Sequence, residues 1–226
     1  MERHISTSYD REIDNLGAQI HAMGKLCEWQ LAKATKAFKI TDKRLADEVI
    51  KADQQVNELH RKAENDTITV LARRQPVAGD LRYIISVIKI ASEFERIADY
   101  AANISKRVLL LEGTPFTLST EYIIDISRDC RTMINSVLDA FDRQDELAAA
   151  TVWKKDNDVD KKFVRFMNTL KREAEKHEDI AGAFTGYIFI GRCLERIGDH
   201  VTNIAENIYY IKTGDTYLSH FEQHSD

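Results

Sequence analysis

The stretch Glu95-Arg-Ile-Ala-Asp-Tyr-Ala-Ala-Asn-Ile104 returns 100 residues later as Glu195-Arg-Ile-Gly-Asp-His-Val-Thr-Asn-Ile204, with six positions unchanged. Earlier matches lie 103 residues apart and pair Ala37, Phe38, Asp42, Val49, Asp53, Val56 and Asn57 with Ala140, Phe141, Asp145, Val152, Asp156, Val159 and Asp160. Matches at a nearly constant offset indicate a tandem repeat of one structural unit. The change of offset predicts that the second half lacks about three residues in the connection that holds residues 74–79 of the first half.

The spacing of apolar residues predicts three long helices in each unit. The first helix has apolar residues at alternating steps of three and four, namely Ile13, Leu16, Ile20, Met23 and Cys27. Residues 6–8 (Ser-Thr-Ser) offer a cap before it. The second helix is expected from a cap near Thr41 to Pro76, and the third from about Asp80 to Leu111. The second half repeats this plan from about residue 118 to residue 212.

Short connections between the helices predict an up-down-up bundle in each half. Gly113 and Pro115 mark the boundary, so we expect a first three-helix bundle over residues 1–113 and a second over residues 114–226 with a short C-terminal tail. The predicted fold is therefore all-α, with two tandem three-helix bundles related by an internal pseudo-repeat. Each half is large enough for a core of its own, and the two bundles are expected to lie end to end or side by side.

Composition and charge favour a soluble, cytoplasmic α-helical protein. The 226 residues include only two prolines and nine glycines, and the net charge is −5 without a dense Lys/Arg block, which disfavours a nucleic-acid partner. No apolar run is long enough to span a bilayer, and the N-terminus lacks the apolar stretch of a signal peptide. The three cysteines, Cys27, Cys130 and Cys193, lie in apolar helical patterns and are expected to be buried thiols.

The third helix of each half has an apolar seam and, on its other side, recurring side chains with oxygen atoms. At about 100° per residue, Glu95, Asp99 and Asn103 lie away from the seam, and so do their copies Glu195, Asp199 and Asn203. One interpretation is a site for a hard cation such as Mg, Mn or Fe, or for Zn. The other is a solvated face on which Arg96 and Arg196 neutralise the acids.

The second helices contribute further candidate ligands. Asp53 in one half corresponds to Asp156 in the other, and Asn57 corresponds to Asp160. Capping or bonding between helices explains these acids as well as metal binding does, since Asp42 and Asp145 stand where helix caps belong. His220 and His224 have a spacing that binds transition metals on a helix, although a frayed chain end is the simpler interpretation.

Two further features concern catalysis and docking. The chain has no Gly-rich phosphate loop, no Gly-x-Ser-x-Gly elbow and no Glu-x-x-His pair, and acids that point away from the core have little desolvation to tune them, so we expect no enzyme. Arg73, Arg74 and Arg82 flank the connection that the second half lacks, and they form a basic corner that could dock a partner or be merely solvated.

Several motifs over nearly the whole length resemble the PhoU family of phosphate-signalling proteins. They are His4-Ile5-Ser6, Met23-Gly24, Arg74-Gln75-Pro76, Ala78, Asp80-Leu81-Arg82 and the two Glu-Arg-Ile-x-Asp motifs. The resemblance implies two three-helix bundles, as the periodicity does independently. It also implies that Glu95, Asp99, Glu195 and Asp199 belong to acidic motifs that hold multinuclear metal clusters in some family members.

The resemblance further implies a cytoplasmic negative regulator that is commonly dimeric. Such a protein links the ATPase subunit of the high-affinity phosphate ABC transporter to a sensor histidine kinase, and it meets the membrane only through these partners. Two alternatives stay open: a metal-holding helical protein without a regulatory role, and a hydrolase that uses the acid pairs. Two departures between the halves, Asn57 against Asp160 and Ala98 against Gly198, indicate that the two acidic faces need not bind metal alike.

Overall fold

The computed structural model describes residues 2–111, 117–176 and 181–215. These residues form helices and connections and contain no strand. In chain order the helices are α1 (Glu2–Ile40), α2 (Lys43–Arg74), α3 (Ala78–Leu110), α4 (Thr117–Arg143), α5 (Glu146–Ala174) and α6 (Ala181–Thr213). The all-α prediction and the six helices are confirmed. The boundary near residue 113 and the histidines at 220 and 224 lie outside the described residues.

The first helix begins earlier than the sequence pattern predicts. Residues 6–8 do not cap α1, because the helix already starts at Glu2. Ser8 lies inside the helix and its hydroxyl accepts a hydrogen bond from the Arg74 guanidinium at 2.9 Å, which places it against the end of α2. Serine in a helix interior costs little free energy when its hydroxyl has such a partner.

The second helix of each half begins at an aspartate cap. Asp42 accepts hydrogen bonds from the backbone N–H of Arg44 and Leu45 at 2.9 and 3.1 Å. Asp145 makes the same pair of bonds to Leu147 and Ala148 at 3.0 and 2.9 Å. The cap predicted near Thr41 is thus Asp42, and the capping explanation for Asp42 and Asp145 is confirmed.

The offset between the halves arises in a helix and not in a shorter connection. Helix α5 has 29 residues where α2 has 32, whereas residues 175–180 join α5 to α6 and only residues 75–77 join α2 to α3. Gln75 ends α2 in the left-handed region, with φ 48°, and Pro76 prevents the helix from continuing. The prediction that the second connection is shorter is therefore wrong.

The two bundles lie side by side and share one core. Helix α1 packs against α4 and α3 against α6, while α2 and α5 flank this central block. Both central pairs are antiparallel, as shown by the contacts of Glu28 with Arg131, Thr35 with Ser127 and Arg82 with Ile211. The buried apolar side chains of both halves form one continuous cluster, so the separate cores expected from the sequence are joined.

The predicted apolar seams form the centre of this cluster. In α3 the fully or nearly buried residues are Val87, Ile90, Phe94, Ile97, Ala101, Ile104 and Val108. In α6 they are Tyr187, Ile190, Leu194, Ile197, Val201, Ile204, Ile208 and Ile211. All three cysteines are buried free thiols, as predicted. Among the described residues, no helix is long and apolar enough to cross a membrane.

Candidate functional site

The recurring acids of each half lie between its second and third helices. We call Asp156 and Asp160 of α5 with Glu195 and Asp199 of α6 the second acidic cluster, because their charges act on one another. The first acidic cluster comprises Asp53 and Asn57 of α2 with Glu95 and Asp99 of α3. In it, Asn57 donates a hydrogen bond to Asp53 at 3.3 Å, and the Asp99 charge raises the pKa of Asp53. The structure thus brings together the candidate ligands of both helices in each half.

These acids are less exposed than the helical pattern predicts. The side chains of Glu95 and Glu195 are only 21% and 19% exposed, because α2 and α5 cover the faces that turn away from the seam. The expectation of a face with little desolvation is therefore wrong. A periodicity argument on a single helix considers α3 or α6 alone and does not include the neighbouring helix that shields its outer side.

Desolvation changes the acidity of the second cluster most strongly. Burial, followed by repulsion from Asp160, Asp199 and Glu195, raises the pKa of Asp156 to about 7. Burial also raises the pKa of Asp199, although the Arg196 guanidinium opposes this shift. In the first cluster burial raises the pKa of Asp53, and the Lys106 charge partly offsets it. Near neutral pH, part of the Asp156 population is therefore protonated unless a cation compensates.

A glycine makes room for the buried carboxylate of the second cluster. A Cβ atom at position 198 would lie 2.4 Å from Asp156 Oδ1, so this carboxylate packs directly against Gly198. The first half has Ala98 at the corresponding position. The difference between Ala98 and Gly198 in the sequence thus has a physical consequence in the second half, because the glycine leaves room for the Asp156 carboxylate against the surface of α6.

Two oxygen atoms of the second cluster are buried without a hydrogen-bond partner. They are Asp156 Oδ1 and Glu195 Oε2, of which the second lies 4.0 Å from Arg196 Nε in a long salt bridge. The alternative interpretation, in which arginines neutralise the acids, applies to the outer acids. Arg196 Nη1 lies 3.2 Å from Asp199 Oδ2, and Arg192 Nη1 lies 3.3 Å from Glu195 Oε1. Within the described residues no basic side chain forms a salt bridge with Asp156. Unpaired buried carboxylate oxygens are costly, and a cation or water would satisfy them.

The donor atoms suit a hard cation, but the side chains do not form a complete ligand set. Carboxylate oxygens favour Mg, Mn or Fe, whereas Zn usually takes His or Cys ligands. Among the residues that the structure describes, no three His, Cys, Asp or Glu side chains are placed to hold one metal ion. The buried unpaired oxygens make the second acidic cluster the better candidate, and metal binding stays a prediction.

The two asparagines of the predicted site have other contacts. Asn203 donates a hydrogen bond to Glu93 of α3 at 3.1 Å, so it belongs to the contact between the bundles and not to the second acidic cluster. Asn103 accepts a hydrogen bond from Lys106 on its own helix at 3.3 Å. Neither contact brings the asparagine to the buried oxygens.

A polar network at the α3–α6 contact was missed by the sequence analysis. His200 Nδ1 lies 2.6 Å from Glu93 Oε2, and the His200 ring contacts the Tyr100 ring at a tilt of 32°, with 5.5 Å between ring centroids. A signal for it exists in the repeat, since Tyr100 and His200 occupy the same repeat position. Residues at equivalent positions meet wherever equivalent antiparallel helices cross on a two-fold axis.

The three arginines of the basic corner, Arg73, Arg74 and Arg82, lie in different environments. Arg74 makes two hydrogen bonds to Glu12, at 2.9 and 2.8 Å, and joins α2 to α1. Arg82 donates from Nε to the carbonyl oxygen of Ile211 at 3.2 Å, near the end of α6, where cations interact favourably with the helix dipole. Arg73 is exposed and makes no salt bridge within the described part of the chain. Docking at this corner stays a prediction, with Arg73 as its freest member.

Comparisons with known proteins agree over nearly the whole length. The family model described as the PhoU domain matches residues 20–108 and again residues 123–208. A phosphate-specific transport system accessory protein PhoU homolog of Caulobacter vibrioides is 34% identical over 220 residues, covering 97% of this chain and 96% of the relative. The accessory protein PhoU of Serratia marcescens is 33% identical over 217 residues, covering 95% and 88%.

Two solved structures share the architecture. The crystal structure of PhoU from Pseudomonas aeruginosa superposes with a TM-score of 0.87 at 33% identity, covering 92% of this chain and all of that chain. The phosphate transport system regulatory protein PhoU from Streptococcus pneumoniae gives a TM-score of 0.86 at 27% identity, covering 92% and 99%. Similarity in both sequence and fold therefore extends across both repeats.

Proposed function

Because this chain belongs to the PhoU family, we propose that it is a cytoplasmic negative regulator of phosphate uptake and phosphate-starvation signalling. In this role it is an adaptor, not an enzyme, between the ATPase subunit of a phosphate ABC transporter and a sensor histidine kinase. The observation that carries the proposal is the match to accessory proteins of phosphate transport across 97% of the chain. Because the match runs over both repeats, both of the surfaces that the proposed role requires lie within the region of similarity.

The physical shape of the molecule supports an adaptor role. Two similar bundles lie side by side, and each has its own acidic cluster, so two partners can be contacted by separate surfaces. The acidic charge of these clusters would attract basic patches on a partner. We propose that the protein forms a homodimer, which would double the number of such surfaces.

We further propose that the second acidic cluster binds a hard metal ion through carboxylates of Asp156, Asp160, Glu195 and Asp199. These side chains would have to rearrange around the ion, because the described residues do not place three such groups to hold one ion. Asp156 Oδ1, which is buried without a hydrogen bond, and Glu195 Oε2, which is buried without a hydrogen bond and has only a long salt bridge of 4.0 Å to Arg196 Nε, support this proposal. A bound cation would neutralise the cluster and lower the proton affinity of Asp156. Isothermal titration calorimetry with Mn²⁺ tests it, and a protein that binds no Mn²⁺, Mg²⁺ or Fe at this cluster would contradict it.

A reporter experiment tests the regulatory role. A deletion strain with a phosphate-repressed reporter would be grown in phosphate-rich medium and complemented with the wild type or with a variant in which Glu95, Asp99, Glu195 and Asp199 are changed to Ala. We expect derepression in the deletion strain and rescue by the wild type alone. A matched control changes four exposed acids outside the clusters, Asp47, Glu64, Glu121 and Asp139, to Ala and should rescue.

The outcomes distinguish the proposed role from the alternatives. If deletion leaves the reporter repressed, the regulatory role is wrong and a metal-holding protein becomes the better interpretation. If both variants rescue, the acidic clusters are not needed for regulation. Co-purification of the chain with the transporter's ATPase subunit and with the sensor kinase, each alone, then determines whether it contacts either partner.

A further inference from the structure

A pocket between α1 and α4 has a basic lining supplied by both repeats. It has a volume of about 250 Å³ and lies away from both acidic clusters, at the contact between the two bundles. Four of its lining residues are basic and two carry hydroxyl groups: Lys36, Lys39, Arg128, Arg131, Thr35 and Ser127. Among the residues that the structure describes, no acidic side chain lines it. This lining is the composition expected of a site for an anion.

The two arginines of the pocket are held from outside it. Arg131 makes a hydrogen bond from Nε to Glu28 at 2.7 Å, and Arg128 makes one from Nη1 to Asp125 at 2.7 Å. Each arginine keeps further N–H groups that these bonds do not use. The acids therefore orient the guanidinium groups without occupying the pocket.

The two lysines leave the pocket with an excess of positive charge. Lys36 and Lys39 are both exposed, and neither forms a salt bridge within the described ranges. They lie one turn apart on α1, so both ammonium groups can reach the same space. With both arginines paired, the excess is two positive charges, which matches a dianion.

The two hydroxyl groups lie at the base of the pocket, and each already donates its proton in a hydrogen bond. Thr35 donates a hydrogen bond to the carbonyl oxygen of Leu31 at 2.8 Å, so the contact of 2.5 Å between Thr35 and Ser127 takes its proton from Ser127. The donors available to an anion are therefore the lysine and arginine side chains. The hydrogen bond between Thr35 and Ser127 joins α1 to α4 beneath these donors.

The corresponding place in the repeat shows that this lining is not required for helix packing. The positions equivalent to Thr35 and Ser127 hold Leu138 and Gly24, and there the leucine fills the gap over the glycine. The positions equivalent to Lys36 and Lys39 hold Asp139 and Asp142. The same antiparallel contact is thus closed by a leucine and flanked by acids at one end but open and basic at the other.

We propose that this pocket binds a phosphate group in its dianionic form. Two unpaired ammonium groups and two pre-oriented guanidinium groups converge on it from both repeats, and this arrangement supplies charge-assisted donors around a tetrahedral anion. Free inorganic phosphate and the terminal phosphate of a phosphomonoester share this chemistry. The inference does not depend on the adaptor role, since the isolated chain is sufficient to test it.

Calorimetric titration of the full chain, in EDTA to exclude metal-bound phosphate, tests the proposal with sodium phosphate and with phenyl phosphate as the monoester. We expect saturable binding that weakens as NaCl increases. The K36Q/K39Q variant should lower the affinity about tenfold or more, because two charged donors are lost. The control variant K43Q/K171Q removes two exposed lysines outside the pocket and should change the affinity less than twofold.

The results separate the two sources of phosphate and can overturn the site. Binding of sodium phosphate that depends on Lys36 and Lys39 identifies the free ion as a ligand. Binding of phenyl phosphate alone, with the same dependence, identifies a phosphate carried on a larger molecule. If neither compound binds, or if both double variants lose affinity equally, the pocket is not a phosphate site. Circular dichroism melting curves establish that the variants are folded.

Discussion

Tyr100 and His200 occupy the same position in the two repeats, and their rings meet at a tilt of 32°, with 5.5 Å between centroids, at the crossing of α3 and α6. A residue can contact its own repeat copy only near the axis that relates the two halves. Because the ring at one copy is a tyrosine and at the other a histidine, the axis is approximate. The histidine also has a polar partner, Glu93, which lies 2.6 Å from its Nδ1.

The first prediction concerns Glu93. Glu93 Oε2 accepts hydrogen bonds from Asn203 and contacts His200, so the Glu93→Ala variant leaves both of these partly buried groups without a partner. We expect the free energy of unfolding to fall by about 1–3 kcal/mol, the usual cost of unsatisfied buried polar groups. Urea denaturation checks this value, and Glu64→Ala on the exposed side of α2 is the control. Equal stability of the two variants would contradict a structural role for the network.

The second prediction concerns the approach of α1 to α4. A Cβ atom on residue 24 would lie 2.5 Å from Leu138 Cδ2, so Gly24→Ala forces the nearly fully buried Leu138 side chain, or the helix that carries it, to shift. We expect a loss of about 1–3 kcal/mol from overpacking, despite the better helix propensity of alanine. Thermal denaturation measures the effect. Gly79→Ala is a matched control, since nothing lies within 4 Å of a Cβ there.

A double variant tests whether residues 24 and 138 press directly on each other. Leu138→Ala alone creates a cavity and should destabilise the protein, while Gly24→Ala with Leu138→Ala fills part of that cavity with the new methyl group. The loss in the double variant should therefore be smaller than the sum of the two single losses. Additive losses would mean that these two residues do not press on each other.

Much of the fold could be predicted from the sequence because it depends on one strong periodicity. The seam from Val87 to Val108 and its copy in α6 predict the buried sides of both helices, and the repeat predicts two equal units. The packing of one bundle on the other could not be predicted, since it depends on shape at residues such as Gly24 that carry no periodic signal. Residues 6–8 misled the prediction because helix interiors also accept serine and threonine.

The residues of the candidate site could be predicted better than the burial of their side chains. The acids of α3 and α6 were found because they recur, and Asp156 was found as the copy of Asp53. Their burial depends on how α5 covers α6, which no single helix pattern contains. The contact of Asp156 with Gly198 explains why a change from alanine to glycine between the halves matters.

The third prediction concerns pH. The pKa of Asp156 is raised from 3.8 to about 7 by burial and by the neighbouring carboxylates. A carboxyl group with a higher pKa in the folded state stabilises the protein when protonated, and this contribution is lost as the pH rises from about 4 to about 7. The Asp156→Asn variant should match the wild type near pH 4 and become relatively more stable as the pH approaches 7.

Urea denaturation in EDTA at several pH values between 4 and 7 measures this difference. Asp47→Asn, which changes an exposed acid on α2, should show a difference from the wild type that hardly varies with pH. A constant difference for Asp156→Asn as well would mean that this carboxyl group has an ordinary pKa in the folded protein.

The fourth prediction concerns Gly198, a position at which the second half differs from the first, where Ala98 stands. The Gly198→Ala variant places a methyl carbon 2.4 Å from Asp156 Oδ1, which is too close for a van der Waals contact, so we expect the carboxylate to shift toward solvent. We expect the pKa of Asp156 to fall and the affinity of the second acidic cluster for Mn²⁺ to change about tenfold, the usual size of a ligand-orientation effect. Carbon-13 NMR titration of the carboxyl groups and calorimetry measure the two effects. An unchanged Asp156 titration would contradict the contact with Gly198.

The last prediction decides what the basic corner does. Arg74 joins α1 to α2 through two hydrogen bonds to Glu12, and these bonds lower the pKa of Glu12. The Arg74→Ala variant should therefore increase hydrogen exchange in the first turns of α1, because that end of the helix loses its attachment to α2. Arg73→Ala removes an exposed side chain and should leave exchange unchanged. If Arg73→Ala nevertheless weakens co-purification with the transporter's ATPase subunit, the corner is a docking surface; if it does not, Arg74 and Arg82 hold helices together and the corner has no part in binding that subunit.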